Sequence, residues 1–321
     1  MIKVVRGGAP AEDPTPRQRE FVALGPSSFT RVSYVEWGSP RAERTVICLH
    51  GLTRNGRDFD YLARRLVRDG MRVIAPDLPG RGRSEPMRNW HEYATPLYLS
   101  VLTSLIARLD VDEVDWVGTS LGGHIGMEFA AHAGAPIRRL VLNDFGARIA
   151  ARALQRISAY LTADAGRRFE SVAEIDEHLR EILAPFGNLT DEQWRHLAEH
   201  GAMPTDDGRF RLRHDPAIAK QFWWPIMIDI VLWQAWDKVQ CPTLILRGVH
   251  SDLLSLETVK LMTRRGAAAR NGLVRHVEVP ACGHAPALME DSQTDIVAEF
   301  LLADDAAVGK GSALAAQGGR P

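Results

Sequence analysis

The chain has 321 residues, enough to bury a large core either as one domain or as a core with an inserted subdomain. Its 39 Lys and Arg against 40 Asp and Glu leave a formal net charge of −1. That balance provides no field for gripping nucleic acid or an anionic membrane, and the expected partner is a small molecule.

Residues 1–20, rich in Pro, Gly and charge, are expected to be a disordered lead-in, and the Ala/Gly-rich tail 303–321 a disordered end. Between them, short apolar runs alternate with amphipathic patterns. TVICLH (45–50), RVIAP (72–76), EVDWVG (113–118), RLVLND (139–144), PTLILRG (242–248) and VRHVEVP (274–280) read as strands. The stretches 57–70, 96–109, 121–134 and 294–302 read as helices. Strands and helices in alternation imply right-handed crossovers and a mostly parallel, doubly wound α/β sheet covered on both faces.

One insertion, residues 147–233, breaks the alternation with helical patterns and no convincing strand, and reads as a helical cap on a core of residues 21–146 and 234–302. Ser171 with Glu174 and Thr190 with Gln193 have capping-box spacing, with Leu189 and Trp194 placed as a staple. Val172, Ile175, Leu179 and Ile182 give the first of these helices one apolar face. Three cysteines, Cys48, Cys241 and Cys282, mostly in or beside apolar runs, suit a reducing, cytoplasmic setting. No run approaches the roughly 20 apolar residues of a membrane span, and neither membrane insertion nor secretion is expected.

The segment with the most chemical content is GTSLGG (118–123), which follows an apolar run and opens a helical one. A Gly-x-Ser-x-Gly turn between strand and helix forces the serine into a strained backbone, and the glycines let strand and helix close up. The helix start directs free N–H groups at the same spot, so the Leu121 N–H is placed to bind an oxyanion. After TVICL, His50-Gly51-Leu52 turns out of the sheet; Leu52 N–H is the candidate second donor, and His50 is read as structural or as lining a substrate pocket. RGVHSDLLS puts Asp252 in a loop after a late strand, and PACGHAPALME puts His284 after the last one. An ordered Ser120, Asp252, His284 can form a nucleophile, a general base and the carboxylate that orients it.

These segments, in this order, resemble the α/β-hydrolase superfamily over residues 30 to 302: GTSLGG its nucleophile elbow, LHGL its oxyanion turn, PDLPGRGRSE (76–85) its D-x-x-G-x-G-x-S loop, RGVHSDLL and GHAPALME its acid and histidine segments. The resemblance implies that Ser120 attacks, His284 serves as base then acid, Asp252 orients it, Leu52 and Leu121 hold the oxyanion, and the helical segment is a lid. Epoxide- and halide-displacing relatives carry aspartate at the elbow, which Ser120 disfavours. Asp144, just after an earlier strand, is the competing acid, since some family members are thought to take theirs there; the late-strand position favours Asp252. Trp223 and Trp224 are candidate pocket residues, alongside other cap aromatics. Arg209, Arg211, Arg213 and His214 form a basic run able to meet a substrate carboxylate, or a solvated face.

No metal-ligand spacing, phosphate loop or dinucleotide fingerprint occurs, so neither metal nor cofactor is expected. Self-association into a homo-oligomer is compatible with the sequence. The reading is a serine hydrolase acting on a small or medium carboxylic ester or lactone through an acyl-enzyme. The alternatives are a carbon–carbon bond hydrolase of ring-fission products and a ligand receptor without turnover.

Overall fold

The computed structural model describes residues 15–222 and 226–304. In chain order the elements are β1 (Arg17–Leu24), β2 (Phe29–Trp37), β3 (Thr45–Leu49), α1 (Asp60–Arg68), β4 (Arg72–Pro76), α2 (Thr95–Leu109), β5 (Val114–Thr119), α3 (Leu121–Ala130) and β6 (Ile137–Asn143). The insertion carries β7 (Arg148–Ile149), α4 (Ala151–Asp164), α5 (Val172–Ile182), α6 (Asp191–Gly201), β8 (Ala202–Pro204), β9 (Phe210–Leu212) and β10 (Ile230–Val231). The chain then returns through α7 (Trp233–Trp236), β11 (Thr243–Gly248), α8 (Leu256–Met262), α9 (Ala267–Arg270), β12 (Val274–Val279) and α10 (Asp291–Leu302).

Eight strands form one sheet in the order β1-β2-β4-β3-β5-β6-β11-β12. From β4 to β12 every neighbouring pair is parallel, while β1–β2 and β2–β4 are antiparallel. The parallel strands inside the sheet are buried on both faces, which is why they read as largely apolar runs, while β12 at the far edge is half-buried and carries Arg275, His276 and Glu278. In β3, Ile47 and Leu49 join one core layer and Val46 and Cys48 the other; Leu140 and Leu142 against Val141 repeat the division in β6. The first layer takes α2 and α3 and the second takes α1 and α10, through residues such as Leu102 and Ile125 against Leu66 and Val297. Each fully buried aliphatic side chain of this kind contributes about 1.5–3 kcal/mol.

The antiparallel edge corrects one expectation. Residues 17–20, set with the disordered lead-in, belong to β1, whose register on β2 runs from Arg17 opposite Glu36 to Leu24 opposite Phe29. The edge position conceals the strand in the sequence, since only Phe21 and Ala23 of β1 are buried. Residues 1–14 and 305–321 lie outside the described residues, and with them most of both expected disordered ends.

The insertion between β6 and β11 is mainly helical, but it also contains strands that the sequence reading did not anticipate. β7 pairs with β10 where the segment leaves and rejoins the sheet, and β8 pairs with β9 as a hairpin. Its own apolar cluster holds Ile175 and Leu179 from α5 with Trp194 and Leu197 from α6. The Thr190–Gln193 capping box is complete: Gln193 N–H donates to Thr190 Oγ1 and Thr190 N–H to Gln193 Oε1. The Ser171 box is half formed, because Ser171 Oγ accepts from Glu174 N–H while the Glu174 carboxylate turns to Glu170 N–H. Among the described residues no helix is long and apolar enough to cross a membrane.

Candidate active site

Ser120 stands between β5 and α3 with φ 52° and ψ −111°, a backbone conformation that a side-chain-bearing residue adopts only when its surroundings impose it. The surroundings are visible. Ser120 N–H is tied to the Asn143 carbonyl at 3.0 Å, and Gly122 packs so tightly that a Cβ on it would overlap the Leu49 carbonyl. Leu121, the first residue of α3, faces the site with an N–H that has no intrahelical acceptor.

His284 arrives on the loop after β12. Its Nε2 lies 2.8 Å from Ser120 Oγ and its Nδ1 2.6 Å from Asp144 Oδ2. With Nδ1–H donating to the carboxylate, Nε2 is the acceptor of the serine hydroxyl proton. Asp144 is fully buried and also accepts from Gly248 N–H at 3.0 Å and Ser251 Oγ–H at 2.6 Å. Three donors on one buried carboxylate fix its orientation.

The geometry therefore corrects the choice of acid: Asp144, not Asp252, meets His284. The strand order gives the reason. β6 lies between β5, which ends at the serine, and β11, so a residue just beyond β6 sits beside both the elbow and the loop after β11. Asp252 lies farther along that loop and turns to α4, where Arg156 Nε and Nη2 hold its carboxylate at 2.7 and 2.9 Å. Burial pushes the Asp252 carboxyl up, but the Arg156 guanidinium outweighs that and leaves it below the ordinary carboxylate value. Asp144 itself has a positive φ of 53°, a second strained residue beside the first.

The turn after β3 is held from several sides. His50 is buried, its Nε2 accepting from Leu78 N–H at 2.9 Å and its Nδ1 2.7 Å from the Gly51 carbonyl. That pairing assigns the neutral tautomer, and burial pushes the imidazole down to about 4. Arg81, 1 % exposed, donates from Nε to the Leu52 carbonyl at 2.9 Å and from Nη1 to Tyr98 Oη, with its guanidinium over the Tyr93 ring. The loop carrying Arg81 is built on Asp77, whose carboxylate accepts from Gly56 N–H and Arg83 N–H. At Gly82, with φ +55°, a Cβ would overlap that carboxylate, which explains the glycine. The loop motif therefore braces the Leu52 turn, a role for Arg81 that the sequence reading did not assign.

A histidine whose folded pKa lies below its unfolded value loses stability on acidification. The unfolded chain binds the extra proton between about pH 6.5 and 4, so stability rises with pH across that window and falls as pH drops through it. His50 alone accounts for at most about 3 kcal/mol of this. Denaturant midpoints measured from pH 7 to 4 are expected to fall for the wild type and to fall less steeply for His50→Gln.

A cavity of about 370 Å³ opens over Ser120 and His284, walled by sheet-end residues and by the insertion. Leu52, His50, Phe145 and Leu253 contribute from the core, and Leu154, Tyr160 and Phe222 from the insertion. His124, one turn after Ser120, also lines it, stacked on Phe145 with ring centroids 5.4 Å apart and pushed by burial down to about 4. Its helical spacing from Ser120 was the available signal. Trp223 and Trp224 lie outside the described residues. Trp194 and Trp236 are buried in packing, not in the cavity. The basic run folds back on its own segment: Arg209 pairs with Asp207, Arg211 with the His214 carbonyl and Arg213 with the Ala202 carbonyl.

One further grouping went unnoticed in the sequence. Asp60 on α1 and His196 and His200 on α6 bring their ligand atoms within 4.8 Å of one another. The Asp60 carboxylate is taken by Arg57 at 2.8 and 2.6 Å, and His196 Nε2 lies 2.9 Å from the Arg57 carbonyl. These donors join α6 of the insertion to α1 of the core.

A serine on a strained strand–helix turn, a histidine bridging it to a buried carboxylate, and an apolar cavity above them make up the geometry of the site. The chain belongs to the α/β hydrolase family, whose family model matches residues 46–300, and it is a hydrolase. It is 42 % identical over 294 residues to a 3-hydroxybutyrate-oligomer hydrolase of Cupriavidus necator, covering 89 % of this chain and 98 % of that one. Among solved structures, a hydrolase of Rickettsia typhi described as putative superposes with a TM-score of 0.80 at 30 % identity, over 89 % of this chain and 98 % of the other. An α/β hydrolase of Novosphingobium aromaticivorans superposes with a TM-score of 0.77 at 31 % identity and the same coverages.

Proposed function

We propose that the protein is a serine esterase that cleaves short 3-hydroxybutyrate oligomers through an acyl-enzyme on Ser120. The observation that carries this reading is His284 bridging Ser120 and Asp144 at 2.8 and 2.6 Å on the floor of the cavity. The 42 % identical relative, named for hydrolysis of 3-hydroxybutyrate oligomers, supplies the substrate class.

In the proposed course, His284 Nε2 takes the Ser120 proton as Oγ attacks the ester carbonyl, and the Leu121 and Leu52 N–H groups hold the oxyanion. His284 then returns the proton to the departing 3-hydroxyl oxygen, leaving 3-hydroxybutyryl-Ser120. Water, deprotonated by the same nitrogen, attacks the acyl group and frees Ser120. The cavity volume lies in the range of small-ligand sites, about 300–1,000 Å³, and its apolar wall suits the methyl-bearing backbone of the oligomer. We propose the segment 147–233 as the lid that excludes water from this site, and a reducing cytosol as the enzyme's location, given Cys48, Cys241 and Cys282 as free thiols.

The test is chromatographic detection of 3-hydroxybutyrate released from the dimer and trimer. Release by the wild type supports the reading. Intact oligomers alongside cleavage of a vinylogous diketone would move the assignment to carbon–carbon bond hydrolysis, and binding of oligomers without turnover would move it to a receptor.

A further inference from the structure

We propose that Arg156 is the anchor for the terminal carboxylate of the substrate, with Asp252 as the residue that holds its guanidinium in position. This deepens the esterase reading and rests on it.

Every linear 3-hydroxybutyrate oligomer ends in a carboxylate that is ionised at neutral pH, and an unpaired carboxylate in an apolar cavity is costly. The site must therefore supply a cation or a cluster of donors. Among the described residues, two guanidiniums line the cavity, Arg54 and Arg156. Arg54 is 6 % exposed, and its Nε and Nη2 close on Asp58 four residues away, a pair contained within one turn of chain. Arg156 differs in position and in availability. It projects from α4 of the insertion, its side chain is 41 % exposed, and its partner Asp252 comes from the core loop after β11. Asp252 occupies Nε and Nη2, leaving Nη1 with no protein acceptor among the described residues.

A guanidinium held along one edge by a carboxylate presents its remaining donors in a fixed plane, which suits bidentate or side-on recognition of a second carboxylate. Arg156 also lines the same cavity as Ser120 and His284, which places the pair within the substrate site. The residue chosen from sequence as the catalytic acid thus gains a different function, as the positioning residue of a substrate-binding arginine.

The test compares the free-acid dimer of 3-hydroxybutyrate with its methyl ester, using the wild-type enzyme, Arg156→Gln and Asp252→Asn. Arg156→Gln is expected to raise KM for the free acid by about 10- to 100-fold, the loss of one charge-assisted contact, with kcat and the methyl ester little altered. Asp252→Asn frees the guanidinium from its fixed plane and is expected to raise KM for the free acid by a smaller factor, again with the methyl ester little altered. Loss confined to the charged substrate is not what a purely structural ion pair gives; equal loss on both substrates in both variants would overturn the proposal. A binding readout separates this proposal from the reaction itself. Calorimetry of the free-acid dimer with Ser120→Ala is expected to show binding that Ser120→Ala/Arg156→Gln loses by a similar factor. If the wild type turns over neither substrate while that difference persists, the carboxylate anchor stands and the esterase reading falls. If the two variants bind the dimer equally, the anchor falls.

Discussion

Ser120→Ala is expected to lower kcat for the 3-hydroxybutyrate dimer by about 10⁵- to 10⁶-fold, with KM close to the wild-type value. Alanine keeps the packing of the elbow, because the Ser120 backbone is held by the Asn143 carbonyl and by the closeness of Gly122 to β3 rather than by the hydroxyl. Only the attacking oxygen is removed. His284 and the oxyanion donors remain, so the residual rate measures what the cavity achieves with water alone, typically about 10³–10⁴ over the uncatalysed reaction. Steady-state and single-turnover kinetics on purified variants check this, and a residual rate within tenfold of the wild type would place the nucleophile elsewhere.

The second large effect discriminates between two carboxylates. Asp144→Asn is expected to reduce kcat by about 10⁴-fold, because an amide at that position presents an N–H to His284 Nδ1 and drives the ring to the tautomer that cannot accept the Ser120 proton. The same change strips Gly248 N–H and Ser251 Oγ–H of a charged acceptor, so a fall in stability of about 1–3 kcal/mol accompanies it. Asp252→Asn, with its carboxylate on Arg156, is expected to reduce kcat by less than about tenfold. Measured kcat values for the pair, with urea midpoints to separate folding from chemistry, decide the matter. The reverse ranking would return the acid to Asp252.

The two aspartates also show where sequence legibility stops. Ser120, His284 and the neighbouring backbone donors are marked by local features: glycines around the serine, a strand before it, a helix after it, a histidine beyond the last strand. The acid has no such mark. Both Asp144 and Asp252 follow apolar strands, and the difference lies in sheet order and in a cross-chain partner, Arg156, more than ninety residues from Asp252 in sequence. A linear chain encodes the strands, while their adjacency is decided by packing.

The same division holds for the fold. Five of the six parallel strands were legible because both faces are buried, leaving no polar alternation to interpret, while β12 at the far edge was legible from its valines. β1 was not, because at the sheet edge only Phe21 and Ala23 are buried and its remaining side chains resemble those of a charged linker. Thr190 with Gln193 announced a helix start that the structure forms completely, since a capping box is a contact between residues three apart. Arg81 could not be read the same way: its value lies in the Leu52 carbonyl and the Tyr93 and Tyr98 rings, none of which is local to it.

The most direct measurement of the central claim is the intact mass of the enzyme quenched in acid during turnover of p-nitrophenyl 3-hydroxybutyrate. The expected result is a fraction of the protein heavier by one 3-hydroxybutyryl group, with the adduct mapped by peptide fragmentation to Ser120 and missing from Ser120→Ala. Turnover that proceeds equally well in Ser120→Ala, or an adduct on another residue, would contradict it.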